Sequence, residues 1–205
     1  EMSVSGSAVY DYCCFGVDGA GKLSDDRYMV FYNQPQSPNK EIKYSASNNG
    51  AKFTINLSKL ANSINKLVFT VSIDGSGTMG DISSHNIVFR QGLGASVEMT
   101  LGGKDFHSEK AIISVEVYKK DSWRFAAVAS GFNGGLGDLL RAYGGEELSG
   151  ESTASSARPP AASNGKVSLE KKLQKDAPQL VSLAKPLAIE LEKRNLQDCV
   201  ARVAL

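Results

Sequence analysis

Two cysteines, Cys13 and Cys14, stand side by side in the stretch AVYDYCCF, residues 8–15. A thiolate is a nucleophile and can reduce oxyanions, so the pair invites a redox reading. Neighbouring residues of a strand point to opposite faces, so the two thiols cannot easily act together. That pattern predicts one buried, small apolar side chain and one surface thiol. A second stretch, residues 130–145, reads SGFNGGLGDLLRAYGG. Backbone N–H groups at a helix start bind anions, and glycines would let a phosphate approach. A phosphate loop ends in Gly-Lys-Ser/Thr, however, and here Asp138 follows Gly137. A carboxylate at that place repels phosphate and caps the helix itself. The glycines therefore read as a tight turn passing against a sheet. His85 and His107 are the only histidines. Neither has a nucleophile or further ligands at a suggestive spacing, so both read as turn histidines. No catalytic constellation emerges, and the chain reads as a non-enzyme.

Strands must position most of these groups. Residues 8–15, 27–32, 41–45, 52–57, 67–73, 87–90, 95–101, 111–119 and 123–129 are short, aromatic and β-branched. Turn chemistry parts them in DGAGK, NQPQSPN, SNNG, DGSG and LGGKD. This spacing predicts a mainly β chain, an antiparallel β-sandwich rather than a βαβ sheet, with residues 138–143 turning helical. Trp123 and Phe125 alternate with Arg124 and read as core-facing aromatics. Asp18 and Asp74 precede glycines in turns, where Asp serves the backbone.

Residues 146–166 are rich in Ser, Ala, Pro and Gly and read as a linker after a domain of residues 1–145. From Ser168 leucines recur at helical spacing, which predicts an amphipathic helix pair in a C-terminal segment, residues 167–205. Asp176 is placed to cap, Pro186 to kink, and Leu180, Leu183, Leu187 and Leu191 to form a packing face that could dock on the sandwich, on a partner or second copy of the chain, or in a further domain. The last residues, VARVAL, start a buried-strand pattern.

Hydrophobic residues make up 41% of the 205, enough for a real core. A net charge of +1 supplies no strong field toward nucleic acid or an anionic membrane. No apolar run is long enough to span a bilayer, and the opening EMSVSGSAVY lacks the pattern of a signal peptide. Three cysteines, two of them adjacent, form a poor disulfide framework. Reduced thiols and a cytoplasmic location are expected.

Several stretches together resemble the TerD family of tellurium-resistance and stress proteins. They are Val115-Glu-Val-Tyr118, Trp123-Arg-Phe125, Gly131-Phe-Asn-Gly-Gly-Leu136 and Tyr143-Gly144, with GKLSDDRYMVFYNQPQSPNKEIKYS and INLSKLANSINKLVFTVSI before them. The resemblance covers about residues 8–145. The tail KKLQKDAPQLVSLAKPLAIELEKRNLQDCVARVAL resembles the lead-in to a von Willebrand A domain, and it stops before any D-x-S-x-S metal motif. The resemblance implies a cytoplasmic, non-catalytic binding or scaffold module in tellurite resistance or stress response. Other proteins of that response are its implied partners.

It also implies a calcium site, built from a D-L-D-x-S stretch on the first strand and an acidic loop. Here the first stretch aligns with Val9-Tyr10-Asp11, with Cys13 at the serine. The loop aligns with residues 45–51, SASNNGA, which carry no carboxylate. Calcium wants several oxygens, usually with more than one carboxylate, so the expectation is a degraded site. Asp11 with Asp25 or Asp26 are the acids left for a weaker one, and Asp81 is a guess for the same end of the domain. Two alternatives stand beside this: a calcium-regulated sandwich using Asp11 and Asp25 or Asp26, and an oxyanion (tellurite) enzyme using Cys13 or Cys14.

Overall fold

The computed structural model describes residues 1–92, 96–145 and 202–204. The expected linker, the expected helix pair with Asp176, Pro186 and its leucine face, Cys199 and most of the stretch likened to a von Willebrand A lead-in lie outside the described residues.

The nine β-branched and aromatic runs and one further segment become ten strands: β1 (Met2–Ser5), β2 (Val9–Val17), β3 (Met29–Val30), β4 (Ile42–Ser47), β5 (Gly50–Ile55), β6 (Lys66–Asp74), β7 (Ser84–Arg90), β8 (Ser96–Leu101), β9 (Ala111–Lys119) and β10 (Trp123–Phe132). Helix α1 (Gly135–Ala142) follows, and a short β11 (Arg202–Ala204) pairs with β8. The strands form two antiparallel sheets. The first runs β8-β7-β1-β5-β4, with β11 outside β8, and the second runs β10-β9-β6-β2-β3. This is the antiparallel β architecture that the turn spacing predicts.

The sequence reading missed β1. It has four residues, too few for a periodicity to show, yet Met2 and Val4 are buried and it sits in mid-sheet between β7 and β5. Residues 27–32 also differ from the expected strand. They form a 3-10 turn, Asp26–Tyr28, and only the two-residue β3. The Gln34 side chain explains this, because its amide donates to the carbonyls of Asp26 at 2.9 Å and Met29 at 2.7 Å and folds the chain back.

A sheet wet on one face shows alternating burial. In β6 every residue from Leu67 to Ile73 is buried instead. The inner face packs on the first sheet, through Phe69 on Phe53 and Phe125 on Phe89, with ring centroids 5.4 and 5.2 Å apart. The outer face receives α1, whose Leu139 and Leu140 are buried, and Tyr143 stacks on Phe15 at 5.8 Å. The result is three layers: sheet, sheet, helix. Among the described residues no helix is long and apolar enough to cross a membrane.

Candidate functional site

The three layers decide the fate of the cysteines. Cys14 faces the inter-sheet core and Cys13 the opposite face, and both are buried. The expectation of one surface thiol fails because the outer face of this sheet is covered as well. Burial pushes both thiols well above the ordinary cysteine range. A buried, protonated thiol is a poor nucleophile.

His85 is not in a turn. It lies on β7 with no exposed surface, aimed between the sheets. Its Nδ1–H donates to the Ser3 carbonyl at 3.0 Å, which leaves Nε2 to accept from the Ser114 hydroxyl at 2.7 Å. Ser114 reaches it through a bulge, since Phe69 pairs with Val115 while Thr70 pairs with Ile113. The extra residue re-aims the side chain into the core. A serine donating to a histidine resembles a hydrolytic dyad, but both are sealed from solvent. Burial pulls the imidazole down to about 4, so it is neutral at physiological pH. Here the pair ties the sheets together. His107 is exposed in the loop before β9.

The glycine stretch makes room for carboxylates rather than phosphate. A Cβ on Gly131 would fall 2.2 Å from the Glu109 side chain, and one on Gly134 would fall 2.1 Å from Asp138. Both acids are buried. Asp138 accepts from the Gly134 N–H at 2.8 Å and pairs with Arg141. The helix start therefore already holds an anion of its own. α1 begins at Gly135, three residues before the sequence suggested, so Asp138 caps it from inside the first turn.

The acids proposed for a metal lie at two ends of the sandwich. Phe15 pairs with Met29, so the preceding Asp25 and Asp26 sit beyond the Val17 end of β2. Asp11 is six residues before Val17, about 20 Å along a strand. Asp25 accepts from Arg27 Nε at 2.9 Å and its guanidinium at 2.8 Å, and this pairing holds its carboxyl below the usual range. Asp18 accepts from the N–H groups of Ala20 and Lys22 at 2.8 and 2.9 Å, the turn-making role expected for it. Asp81 lies at the Asp11 end, since the Ser83 N–H donates to the Ser5 carbonyl at 2.7 Å. Its carboxylate accepts from the backbone and hydroxyl of Thr78. Among the described residues no three His, Cys, Asp or Glu side chains gather as a metal would require.

What does gather is aromatic. The β1–β2 turn, the β4–β5 hairpin and the first half of β2 converge on a cleft of about 480 Å³ between the two sheets. Tyr10, Tyr12 and Tyr44 line it with Asn48, Asn49 and Ser5, and the rest of the lining is Val4, Ala8, Gly6 and Gly50. These are the two segments, residues 9–13 and 45–51, that the resemblance pairs around calcium. Tyr12 forms the floor. Its hydroxyl accepts from the Val4 N–H at 3.0 Å and donates to the Asn49 carbonyl at 3.3 Å. Burial, with Tyr10 and Tyr44 close by, pushes its phenol up to about 12. Tyr10 and Tyr44 are half-buried walls on opposite sheets, and Tyr44 is backed edge-on by Phe53 at 5.5 Å. No lining residue is charged. Calcium does not fit this donor set, because amides and phenols cannot neutralise a dication. An oxyanion does not fit either, because nothing in the lining is positive. Sequence reasoning noted the missing carboxylates of SASNNGA and passed over the tyrosines. The YDY alternation on β2 was the available signal.

Comparison with known proteins agrees with the fold. The TerD domain profile matches residues 3–143. The tellurium resistance protein TerA of an Alcaligenes species is 37% identical over 119 residues, which are 57% of this chain and 34% of that protein. The chain thus spans about a third of that relative's length. General stress protein 16U of Bacillus subtilis is 31% identical over 65% of this chain and 76% of its own. A crystal structure of a telluride resistance protein (TerD) homologue from Streptomyces coelicolor A3(2) superposes with a TM-score of 0.54. That match, at 20% identity, covers 68% of this chain and 90% of the other and speaks to the fold alone. The chain belongs to the TerD domain family.

Proposed function

We propose that this chain is a non-catalytic binding module of tellurium resistance or general stress response, which reads its ligand at the tyrosine cleft and holds no resident calcium. The observation that carries the reading is the lining of that cleft. Segments that the resemblance assigns to metal ligands come together, and they bring tyrosines and asparagines where carboxylates would be needed. The relatives' names, tellurium resistance protein, general stress protein and chemical-damaging agent resistance protein, support the setting. Against a catalytic role stand the sealed thiols and the sealed His85–Ser114 pair. Free thiols at Cys13 and Cys14 suit the cytoplasm. Other stress proteins are the partners to seek.

The test is a thermal melt of the full chain with excess calcium and again with EGTA. A ligand that binds only the folded state raises the midpoint with its concentration. The reading expects the same midpoint in both. A midpoint that climbs with calcium would sink it and favour the calcium-regulated alternative built on Asp11.

A further inference from the structure

The cleft itself says which chemistry it suits, given the reading of it as a binding site. Its volume, about 480 Å³, lies in the ordinary range for small-ligand sites. Tyr10 and Tyr44 wall it from opposite sheets, and Tyr12 closes the floor. A tyrosine ring face carries negative potential and attracts cations, more so where water is excluded. The surroundings add to that sign. Asp11 lies between Tyr10 and Tyr12 in sequence; burial first, and the Asp11 charge second, push the Tyr44 phenol up. Asp74 pairs with Val9 at the mouth. Asp81 is two residues from Ser83, which is bonded to Ser5 of the lining. On the basic side stand Lys104, accompanied by Asp105 in its own 3-10 turn, Lys110, which follows Glu109 and whose carbonyl accepts from the Ile73 N–H, and Lys52, which shares Glu1 with Arg90. Charge at this end is therefore weighted toward acid, around a lining with no charge of its own.

We propose that the cleft takes a positively charged organic group, an alkylammonium or a guanidinium, held between the rings of Tyr10 and Tyr44. Two sources share that chemistry: a free organic cation, and a basic side chain of a partner protein. A bare metal ion finds too few anionic oxygens there, and an oxyanion finds no positive charge. An organic cation needs neither, because ring faces and a surrounding field supply its stabilisation.

The full chain is titrated at constant ionic strength with tetramethylammonium and with tert-butyl alcohol, a neutral compound of nearly the same size and shape. A second pair is a capped Gly-Ser peptide with one central arginine, and the same peptide with citrulline there. The expected result is binding of at least one cationic member, about tenfold weaker for its neutral twin. Tetramethylammonium binding alone identifies a free cation as the source, and arginine-peptide binding alone identifies a partner's side chain. Tyr44→Phe keeps the ring and should keep most of the binding. Tyr44→Ser and Tyr10→Ser should lose it. Equal binding of charged and neutral twins overturns the proposal, and so does silence from all four at millimolar concentration. Either result leaves the calcium-independent module standing, whereas a calcium-dependent melt would remove that reading whatever the cations do.

Discussion

The two ends of the sandwich use their polar groups differently. At the far end Asp18, Ser24, Asp25 and Arg27 bond within a few residues of one another, on the surface. At the cleft end, beside the local Asp81–Thr78 turn, other contacts bridge distant parts of the chain through the core. Tyr12 on β2 holds Val4 on β1 and Asn49 in the hairpin, and one residue further back Ser3 is held by His85. Local carboxylate turns shape a loop but gather nothing. Long-range contacts fix side chains from both sheets around one space. A site needs that second kind of contact, and acidity alone is a weak guide to one.

Cutting the buried anchors should therefore cost far more than cutting the surface turns. The largest expected effect is on pH. His85 is neutral when folded, with a value near 4 against an ordinary 6.5. Between those values the unfolded chain binds the extra proton, so acid favours unfolding. Stability should be full above pH 6.5 and fall by about 3 kcal/mol as pH drops toward 4. Carboxylates held low in the folded state, Asp18, Asp25 and Asp81 among them, add their losses at the acid end of this range. Denaturant melts from pH 7 to 5 isolate the histidine, and His85→Gln should flatten that part of the curve. An unchanged slope would remove His85 as an anchor.

Tyr12→Phe comes next. It leaves the Val4 N–H buried without its acceptor, which should cost about 1–3 kcal/mol by chemical denaturation. At the far end Asp25→Ala removes an exposed ion pair and a turn cap, and a loss under about 1 kcal/mol is expected. If Asp25→Ala costs as much as Tyr12→Phe, the contrast between the ends collapses. The smallest effect on stability belongs to Gly6→Ala. The new Cβ would meet the Tyr10 hydroxyl at 2.0 Å, the far end of a flexible side chain that can swing aside. Melting should move little while the cleft changes shape, so binding of a cation there should fall without a matching loss of fold.

Much of the fold was legible in advance because strands and turns are written locally. Alternating β-branched and aromatic runs, separated by DGAGK, SNNG and DGSG, led to nine of the strand regions and the sandwich. β1 was missed because four residues carry too little pattern, and β3 was overdrawn because the Gln34 amide bonds that shorten it run from a side chain to backbone carbonyls. The candidate site was half legible. The resemblance brought residues 9–13 and 45–51 together, and the absence of carboxylates in SASNNGA was plain.

What the sequence determined by itself is the class of elements, their order and the lack of any carboxylate in SASNNGA, since each depends on residue type at near-neighbour spacing. The tertiary structure alone decided that Cys13 is buried as well as Cys14, that Ser114 meets His85, that Asp11 stands about 20 Å from the Asp25 end, and that three tyrosines share one cleft. Those facts follow from strand register, one bulge and a helix laid over the outer face. Each of these joins residues far apart in the chain, and no local spacing encodes them.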